Sequence, residues 1–399
     1  MPISDIAIYF DISEFLQTRK TTGIQRVIRE LLTRAIQDIP NIFILDIDTQ
    51  TDTFILLDNQ EFPSFFQDIK NYTFVSKKAI DLSKIRREQK IFFDLDTIWN
   101  SSKPRELLYP QLKENNFYIF NLIYDLIPIL FPNYLYTASR ENFPAFIASV
   151  YKFSDLVLFN SNSTKRDFFE LQKKLHFTNN IKTAMLPLGS DYAHYPSNKL
   201  VDVQNLLATK YILFVGTIEP RKEQLKVLEV YEEIYKNHQD IHLVFIGKIG
   251  WGVDSFVDKF SKHPLKEKKI HHLTEIDDAT LALFYKEAYL VVYLSKYEGY
   301  GLPLVESLAH SNVTITSKNS SMSEFSPKLV DFVDDDSKEA LYRLLNSYIE
   351  NPHLVNLRRK EIQANYKTTT WNDFYANLIN IIENFDILTS MSQNKGDYT

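Results

Sequence analysis

Short apolar runs alternate with amphipathic stretches along the second half of the chain, from residue 210 onward. One amphipathic stretch, Leu225–Tyr235, has its apolar residues at helical spacing and lies between two of the runs. Strands and helices that alternate in this way are typical of a parallel, doubly wound sheet. The predicted strands are Tyr211–Val215, His242–Ile246, Lys269–Leu273, Leu290–Leu294 and Val313–Thr316.

The first half repeats the pattern less regularly. An amphipathic stretch from Ile24 to Ile36 follows the first apolar run and predicts a long helix with one buried face. We therefore predict an α/β protein of two Rossmann-like domains, with parallel sheets facing across an interdomain cleft. The predicted strands of the first half are Asp5–Phe10, Ile42–Ile47, Ile91–Asp94, Tyr118–Tyr124, Leu156–Phe159 and Thr183–Leu186.

Turn-forming residues mark a boundary near the middle of the chain. The stretch 190–209 contains Pro196, Ser197 and Asn198 with few apolar positions, so we predict a linker there between domains at 1–189 and 210–370. We expect a C-terminal helix at 371–388 to pack back towards the N-terminal domain. The polar residues 389–399 should form a frayed tail.

The composition excludes several classes of protein. The 399 residues contain no cysteine, which rules out disulfides, thiol catalysis and cysteine zinc sites. A net charge of −6 makes nucleic acid an unexpected partner. The N-terminus lacks the pattern of a signal peptide. Asn121, Asp125 and Pro128 interrupt the most apolar stretch, Phe117–Phe131, well short of the roughly 18 apolar residues of a membrane span. We expect a cytoplasmic protein.

Only nine glycines occur, so their positions are informative. Gly216, Gly247, Gly299 and Gly301 follow predicted strands, and Gly23 precedes the first long helix. The loops at the carboxyl ends of parallel strands form the ligand crevice of a doubly wound sheet, where glycine allows backbone amides to approach a phosphate. Each glycine taken alone is equally well explained as a turn residue; together they favour an anionic ligand.

The segment Phe214-Val-Gly-Thr-Ile-Glu-Pro-Arg-Lys222 places two cations in the loop after a strand. Arg221 and Lys222 beside exposed backbone amides suit a diphosphate, because charge-assisted contacts neutralise a leaving group as its bond breaks. The alternative is an exposed pair of cations on a solvated loop.

A second segment, Leu294 to Ala309, carries two glutamates. Glu298 lies in a glycine loop after a strand, and Glu306 lies in the helix that Pro303 opens. One carboxylate can accept hydrogen bonds from the hydroxyls of a sugar and the other from those of a ribose. The apolar residues around them argue against two solvated glutamates that merely flank a turn.

At this point the sequence resembles a known family. Gly216-Thr-Ile-Glu-Pro-Arg-Lys222 and Glu298-Gly-Tyr-Gly-Leu-Pro-Leu-Val-Glu306 are similar to the donor-site signature of the retaining glycosyltransferases of family four, also known as glycosyl transferases group 1, which have the GT-B fold. The resemblance covers nearly the whole chain. Its other motifs are Thr22-Gly-Ile-Gln-Arg-Val27, Asp125-Leu-Ile-Pro128, Asn160-Ser-Asn-Ser163, Leu186-Pro-Leu-Gly189 and Ser320-Ser-Met-Ser-Glu324.

The resemblance implies a role for each matching residue. Arg221 and Lys222 would hold the donor diphosphate, Glu298 would contact the transferred sugar, and Glu306 would bind the nucleoside ribose. Gly23 and Arg26 would lie near the donor phosphate. The remaining residues of the implied donor site are Gly216, Thr217, Gly299, Tyr300, Gly301 and Leu302.

The resemblance also implies a reaction. A nucleotide-sugar donor would pass its sugar, with retention and without a metal or other cofactor, to a glycan or lipid-linked acceptor of a bacterial surface polysaccharide. The alternatives are a GT-B sugar-nucleotide epimerase or phosphorylase, and a non-catalytic GT-B partner subunit.

The sequence departs from the family pattern at two places. Tyr124 stands before Asp125 where many relatives have a histidine that contacts the sugar or acceptor. The turn from His310 to Val313 lacks the usual glycine and proline, which leaves its conformation open.

The remaining candidates lie in the first half. Asp94, Asp96 and Trp99 follow a predicted strand and are assigned, with Tyr124 and Asp125, to acceptor binding. We consider a metal site at the two aspartates less well supported, because similar pairs recur in this acidic chain. The basic stretch Lys77–Lys90 is interpreted as a solvated surface in preference to a peripheral contact with an anionic membrane at the inner face of the cell membrane.

Overall fold

The computed structural model describes residues 2–87, 89–134, 137–192, 203–333 and 337–385. The chain divides into two compact units, Met1–Leu188 with Trp371–Thr399, and Gly189–Thr370. The described residues of the predicted linker, 190–192 and 203–209, fall in the second unit. The predicted tail at 389–399 lies outside the described residues.

The first unit is built on an eight-stranded sheet with the order β4-β3-β2-β1-β5-β6-β7-β8. Its strands are β1 (Ala7–Asp11), β2 (Ile42–Asp48), β3 (Thr53–Leu57), β4 (Lys77–Ile80), β5 (Lys90–Asp94), β6 (Tyr118–Ile123), β7 (Leu156–Phe159) and β8 (Lys182–Met185). Its helices are α1 (Ser13–Thr18), α2 (Gly23–Asp38), α3 (Phe62–Gln67), α4 (Arg105–Glu114), α5 (Ile127–Leu130), α6 (Thr137–Phe153) and α7 (Asn162–Lys174).

The second unit is built on a six-stranded, all-parallel sheet. Its first elements are α8 (Gln204–Leu207), β9 (Lys210–Val215), α9 (Gln224–Asn237), β10 (Ile241–Ile246), α10 (Asp254–Ser261), β11 (Ile270–Leu273), α11 (Asp278–Glu287) and β12 (Leu290–Tyr293). The others are α12 (Leu302–Ala309), β13 (Thr314–Ser317), β14 (Asp331–Val333), α13 (Lys338–Glu350) and α14 (Pro352–Asn365), and the strand order is β11-β10-β9-β12-β13-β14.

The central strands of the second unit are apolar on both faces because helices cover both faces. Ile212 and Phe214 of β9 pack in one core with residues of α9 and α13. The alternate residues Tyr211 and Leu213 pack in another core with residues of α11. A parallel sheet buried on both sides gives continuous apolar runs, and this is the pattern that predicted these strands.

All eleven predicted strands are present, with ends within two residues of those predicted. The prediction of a parallel first sheet is wrong at one edge, where β3 and β4 run antiparallel. Only four residues join β2 to β3, which is too short for a parallel crossover. β4 is mostly exposed and carries lysines, as edge strands often do. The short strand β14 was also not predicted.

The last described helix, α15 (Trp371–Glu383), belongs to the first unit. Its apolar face buries Trp371, Phe374, Leu378 and Ile382. The side chain of Asn372 accepts a hydrogen bond of 2.7 Å from Arg34 of α2. No helix in the described ranges is long and apolar enough to cross a membrane.

Candidate active site

Two loops meet at the carboxyl edge of the second sheet. The first follows β9 and forms a short 3-10 helix, Pro220–Lys222, and the second, residues 294–301, follows β12. The backbone amide of Lys296 donates to the carbonyl of Arg221 at 2.7 Å. The ammonium of Lys296 pairs with Glu223 at 3.0 Å. Adjacent parallel strands bring the two loops together, and these contacts join them.

Arg221 lies between the two loops. Its guanidinium contacts Glu219 at 2.7 Å and Glu298 at 2.6 Å. The same group donates to the carbonyl oxygen of Tyr297 at 2.7 Å and to the hydroxyl of Ser295 at 3.2 Å. Arg221 therefore holds both loops and sets the position of Glu298.

Lys222 lies against a glycine. A Cβ atom at Gly216 would stand 2.9 Å from the ammonium nitrogen of Lys222, and the φ of Gly216 is +142°. Lys222 is buried, and its ammonium lies 3.7 Å from the carboxylate of Glu298 and 5.5 Å from the ring centre of Tyr293. Gly216 thus makes room for a buried cation at the edge of the sheet.

Gly247 has a different explanation. A Cβ atom there would stand 2.2 Å from the backbone oxygen of Gly216, which no side chain could tolerate. The close approach of two strand ends requires this glycine. This packing requirement is a third explanation, beside the turn and the anionic ligand considered for the strand-end glycines.

Glu298 is a buried carboxylate with cationic neighbours. Burial alone would raise its pKa, but Arg221 and Lys222 outweigh burial and hold the pKa below its usual value. Its backbone is also fixed, because the hydroxyl of Ser320 accepts from its amide at 2.9 Å and that of Ser321 donates to its carbonyl at 3.0 Å. The side chain is therefore a fixed, ionised acceptor at neutral pH.

Helix α12 carries the second glutamate into the interior. Gly301 begins it with a φ of +87°, a conformation that favours glycine, and Pro303 lies in its first turn. Glu306, buried in this helix, accepts a hydrogen bond of 2.9 Å from the hydroxyl of Tyr285 in α11. Tyr300 and Leu302 pack, partly buried, against the core beside it.

The turn after α12 has the conformation that the missing glycine would adopt. Ser311 takes a φ of 58°, in the left-handed region. The buried side chain of Asn312 donates to the carbonyl of Tyr285 at 2.7 Å. The turn is thus held by a side-chain contact instead of by glycine and proline.

The last two donor-site candidates of this unit lie in the same loops. Thr217 follows Gly216, and its carbonyl accepts a hydrogen bond of 2.9 Å from the side chain of Gln224. Gly299 directly follows Glu298. The structure therefore brings every second-unit candidate to one edge of one sheet.

Gly23 and Arg26 lie in the first unit, in the first turn of α2. Thr22 and Gln25 form a capping box at this end. The N-terminus of a helix of this length presents backbone amides and a positive dipole end, which suits an anion.

Asp94 lies at the end of β5 in a buried ionic network. Arg105 donates to its two carboxylate oxygens at 2.7 and 2.9 Å, and Tyr109 donates to it at 2.6 Å. The same guanidinium contacts Asp11 at 2.6 Å. These protein partners occupy both oxygens of Asp94.

Asp96 is buried two residues further on. It accepts backbone hydrogen bonds of 2.7 Å from both Phe15 and Thr97, and one of 3.4 Å from the side chain of Gln25. Burial raises its pKa to about 7, assisted by the nearby negative charges of Asp11 and Glu14. Asp96 therefore connects the end of β5 to α1 and to the first turn of α2.

The other acceptor candidates of the first unit have structural partners. The hydroxyl of Tyr124 donates to the carbonyl of Leu95 at 2.8 Å, and burial raises its pKa well above the usual value. The carboxylate of Asp125 accepts from the amide of Ile127 at 2.9 Å. Trp99 packs edge-on against Phe143, with ring centres 5.0 Å apart.

Part of the second unit is similar to a known protein family. Residues 201–368 match the family model of the glycosyl transferases group 1. This segment is similar to members of that group. It includes both donor-site motifs, so the resemblance inferred from them is confirmed.

Curated relatives come from Escherichia coli. Two sequences of the serotype-specific mannosyltransferase WbdA are each 26% identical over 74% of this chain, and the alignments cover 36% and 37% of those proteins. The O-antigen chain mannosyltransferase B is 30% identical over 36% of this chain and is covered over 39% of its length. The matched part of the chain thus covers little more than a third of the length of these relatives.

Solved structures resemble the whole fold. HepE from Anabaena, solved with UDP and glucose, gives a TM-score of 0.67 at 13% identity over 95% of this chain and 99% of its own. Sucrose-phosphate synthase from Thermosynechococcus elongatus gives 0.65 at 14% identity over 96% and 100%. The predicted GT-B fold is confirmed.

Sequence reasoning missed several side chains that hold the site. Tyr285 and Tyr293 have no local signal, because their apolar neighbours make them look like core residues of a helix and a strand. Ser320 and Ser321, which fix the backbone of Glu298, lie in the motif Ser320–Glu324, to which the sequence assigns no role. Among the described residues, no group of three histidine, aspartate or glutamate side chains is arranged to hold a metal.

Proposed function

We propose that this protein is a glycosyltransferase that moves a sugar from a nucleotide-sugar donor to a glycan or lipid-linked acceptor. One observation carries the proposal: the buried Lys222 and Glu298 form a cluster of opposite charges with the partly buried Arg221 at the carboxyl edge of a parallel sheet. The group 1 domain and the GT-B neighbours support the same activity.

In this proposal Lys222 stabilises the leaving diphosphate. Its ammonium lies 2.9 Å from the position that a Cβ atom at Gly216 would take, so a side chain at residue 216 would displace it. A fixed cation in a site of low dielectric stabilises charge that develops on the leaving group. Arg221 is engaged with Glu219, Glu298 and backbone oxygen, so we assign it mainly the positioning of Glu298, with a share in the positive field.

The two glutamates divide the recognition of the donor. Glu298, held ionised by its neighbours, accepts hydroxyl hydrogen bonds from the transferred sugar. Glu306, one helix further on, accepts them from the ribose. Sugar contacts that strengthen as the anomeric carbon becomes electron-poor act on kcat, whereas ribose contacts act on donor binding.

We further propose retention at the anomeric carbon and activity without a metal ion. The similarity of both donor-site motifs to retaining enzymes supports the first. The cations Arg221 and Lys222 can supply the positive field required by the second. Gly23 and Arg26 would add amides and charge from the first unit, and Asp96, Tyr124, Asp125 and Trp99 would shape its acceptor side, with Asp94 as their structural support.

The relatives suggest which substrates to try first. Both are named mannosyltransferases, and one acts on O-antigen chains, so we propose an activated mannose as donor and a bacterial surface polysaccharide as product, made in the cytoplasm. HepE was solved with UDP-glucose, which makes that donor the natural comparison.

The test is release of nucleoside diphosphate from a panel of GDP-mannose, UDP-glucose, dTDP-glucose and ADP-glucose with a glycan acceptor. We expect turnover with one donor, loss of turnover in Glu298→Gln, and unchanged turnover in Glu287→Gln, a matched change on the outer surface of α11. Proton NMR should show the donor's anomeric configuration in the product, and EDTA should leave the rate unchanged.

Other outcomes would contradict these proposals separately. A donor isomerised without release of nucleoside diphosphate would indicate an epimerase. A product with the opposite anomeric configuration would contradict the retaining mechanism but not the transferase activity. Loss of activity with EDTA, restored by manganese, would remove metal independence.

A further inference from the structure

The carboxylate of Glu306 has a fixed partner on the neighbouring helix. Tyr285, near the end of α11, is fully buried, and its hydroxyl donates to Oε2 of Glu306 at 2.9 Å. A hydrogen bond to a charged group inside a protein is among the stronger ones. The orientation of the Glu306 carboxylate thus depends on a residue outside the motif that contains it.

Tyr285 is itself held from two sides. Its ring lies nearly parallel to that of His310, with an interplanar angle of 18° and ring centres 5.6 Å apart. Its carbonyl oxygen accepts a hydrogen bond of 2.7 Å from Asn312. Nδ1 of His310 lies 2.9 Å from the carbonyl oxygen of Glu306. A connected set of contacts therefore joins α11 to α12 and the turn after it. Its members are Tyr285, Glu306, His310 and Asn312.

We propose that Tyr285 is a positioning residue that sets the carboxylate plane of Glu306 for the two hydroxyls of a ribose. The proposal rests on the role of Glu306 given above. Each carboxylate oxygen can accept more than one hydrogen bond, so the bond from Tyr285 leaves Glu306 able to accept others. A carboxylate whose plane is fixed in advance loses less conformational freedom when the ribose binds.

The test removes only the hydroxyl, in Tyr285→Phe. We expect the affinity for UDP or GDP, whichever the wild type binds, to fall about tenfold, the size of one hydrogen bond to a charged group. The affinity for the 2′-deoxy form of the same nucleotide should fall much less. The ratio of the affinity for the ribose form to that for the 2′-deoxy form should therefore decrease. The kcat should change by less than about twofold, because the ribose contacts do not change during the reaction.

Tyr211→Phe is the matched control. Its hydroxyl is also buried in the same core and donates to the carbonyl of Phe284, the residue before Tyr285, at 2.8 Å. This variant loses a buried hydroxyl at the same place without touching Glu306. We expect it to keep the wild-type ratio between ribose and 2′-deoxyribose nucleotides.

The outcomes separate the two proposals. The quantity compared is the ratio of the affinity for the ribose nucleotide to that for its 2′-deoxy form. If Glu306→Gln lowers this ratio and Tyr285→Phe leaves it at the wild-type value, the proposed role of Tyr285 is wrong. If Glu306→Gln also leaves the ratio unchanged, the ribose role of Glu306 fails instead. Because the ratio is taken on one sample, an unfolded fraction cancels. Should Tyr285→Phe not fold, His310→Ala, which removes the half-buried ring on Tyr285, must shift the ratio in the same direction or the proposal falls.

Discussion

Each unit of the protein places one arginine between two carboxylates, and the two clusters differ in their surroundings. In the first unit Arg105 joins Asp11 and Asp94 at 2.6 and 2.7 Å. In the second unit Arg221 joins Glu219 and Glu298 at 2.7 and 2.6 Å. The contact distances are the same to within 0.1 Å, so distance does not distinguish a structural cluster from a site.

The direction of the carboxylate pKa does distinguish them. Burial outweighs Arg105 and raises the pKa of Asp94. At Glu298 burial is outweighed by Arg221 together with Lys222, and the pKa is lowered. The charge of Asp11 also raises the pKa of Asp94, whereas Glu298 has Lys222 as a second cation beside it. The second cluster therefore has two cations for two carboxylates, whereas the first has one cation for two.

The first cluster continues into the core. The hydroxyl of Tyr109 donates to Asp94 and accepts from Asn121 at 2.7 Å, and Asn121 in turn accepts from Ser154. Each of these polar groups thus has a partner within the protein. The second cluster instead lies in the two loops after β9 and β12, with Lys222 packed against Gly216. We infer that the first supports the fold and the second serves the reaction.

The largest expected effect is on stability in the first cluster. Arg105→Leu would leave two buried carboxylates without their cation, and removal of one partner of a buried pair costs about 3–5 kcal/mol. Urea denaturation should show this loss. The control Lys84→Leu breaks an exposed pair with Asp81 and should leave the free energy of unfolding nearly unchanged. A loss below about 1 kcal/mol in Arg105→Leu would contradict a structural role.

Asp96 extends the comparison to a buried carboxylate whose partners are backbone amides. Its pKa is raised to about 7, so the folded state holds a proton that the unfolded chain releases near the usual aspartate pKa of 3.8. The resulting stabilisation is complete below that value and is lost as the pH rises through 7. Over this interval it amounts to about 4 kcal/mol at most, since each pH unit between the two pKa values is worth about 1.4 kcal/mol.

Urea denaturation of the wild type and of Asp96→Asn between pH 4 and 8 measures this contribution. The wild type should lose stability relative to the variant as the pH rises, because only the wild type carries the titrating group. If the difference in the free energy of unfolding between the two proteins stays constant from pH 4 to 8, the pKa of Asp96 is not raised.

The third effect is on the reaction and belongs to the second cluster. If Lys222 stabilises the leaving diphosphate, Lys222→Ala should raise the barrier by about 2–4 kcal/mol, comparable to removal of an oxyanion donor. Steady-state kcat measures it, with circular dichroism as the check on folding. Lys226→Ala removes the next lysine, which pairs with Glu223 at 2.8 Å, and should keep kcat. Wild-type kcat in Lys222→Ala would remove the diphosphate role.

The comparison also shows which parts of the molecule can be predicted from the sequence. The strands and the second cluster lie in contiguous segments, where apolar runs and the pairs Arg221-Lys222 and Glu298/Glu306 are visible. The first cluster depends on Arg105, which is 94 positions from Asp11 and meets it only through the fold. The sequence therefore predicts an acceptor role for Asp94, because nothing in the sequence marks Arg105 as its partner. Tyr285 was missed for the same reason.

The smallest expected effect concerns the turn after α12 in the second unit. Ser311 adopts a φ of 58°, which costs a residue with a side chain about 1 kcal/mol more than glycine. Ser311→Gly should therefore stabilise the protein by about 0.5–1 kcal/mol, part of the gain being offset by the greater freedom of glycine in the unfolded chain. Thermal or urea denaturation measures this change in the free energy of unfolding.

Ser347→Gly, the same change inside α13, is the control and should destabilise the protein by a similar amount, because glycine is a poor helix former. Nucleotide affinity should stay unchanged in Ser311→Gly, since Asn312 still ties the turn to Tyr285. A destabilised Ser311→Gly protein would show that the serine side chain contributes more to this turn than its backbone conformation costs.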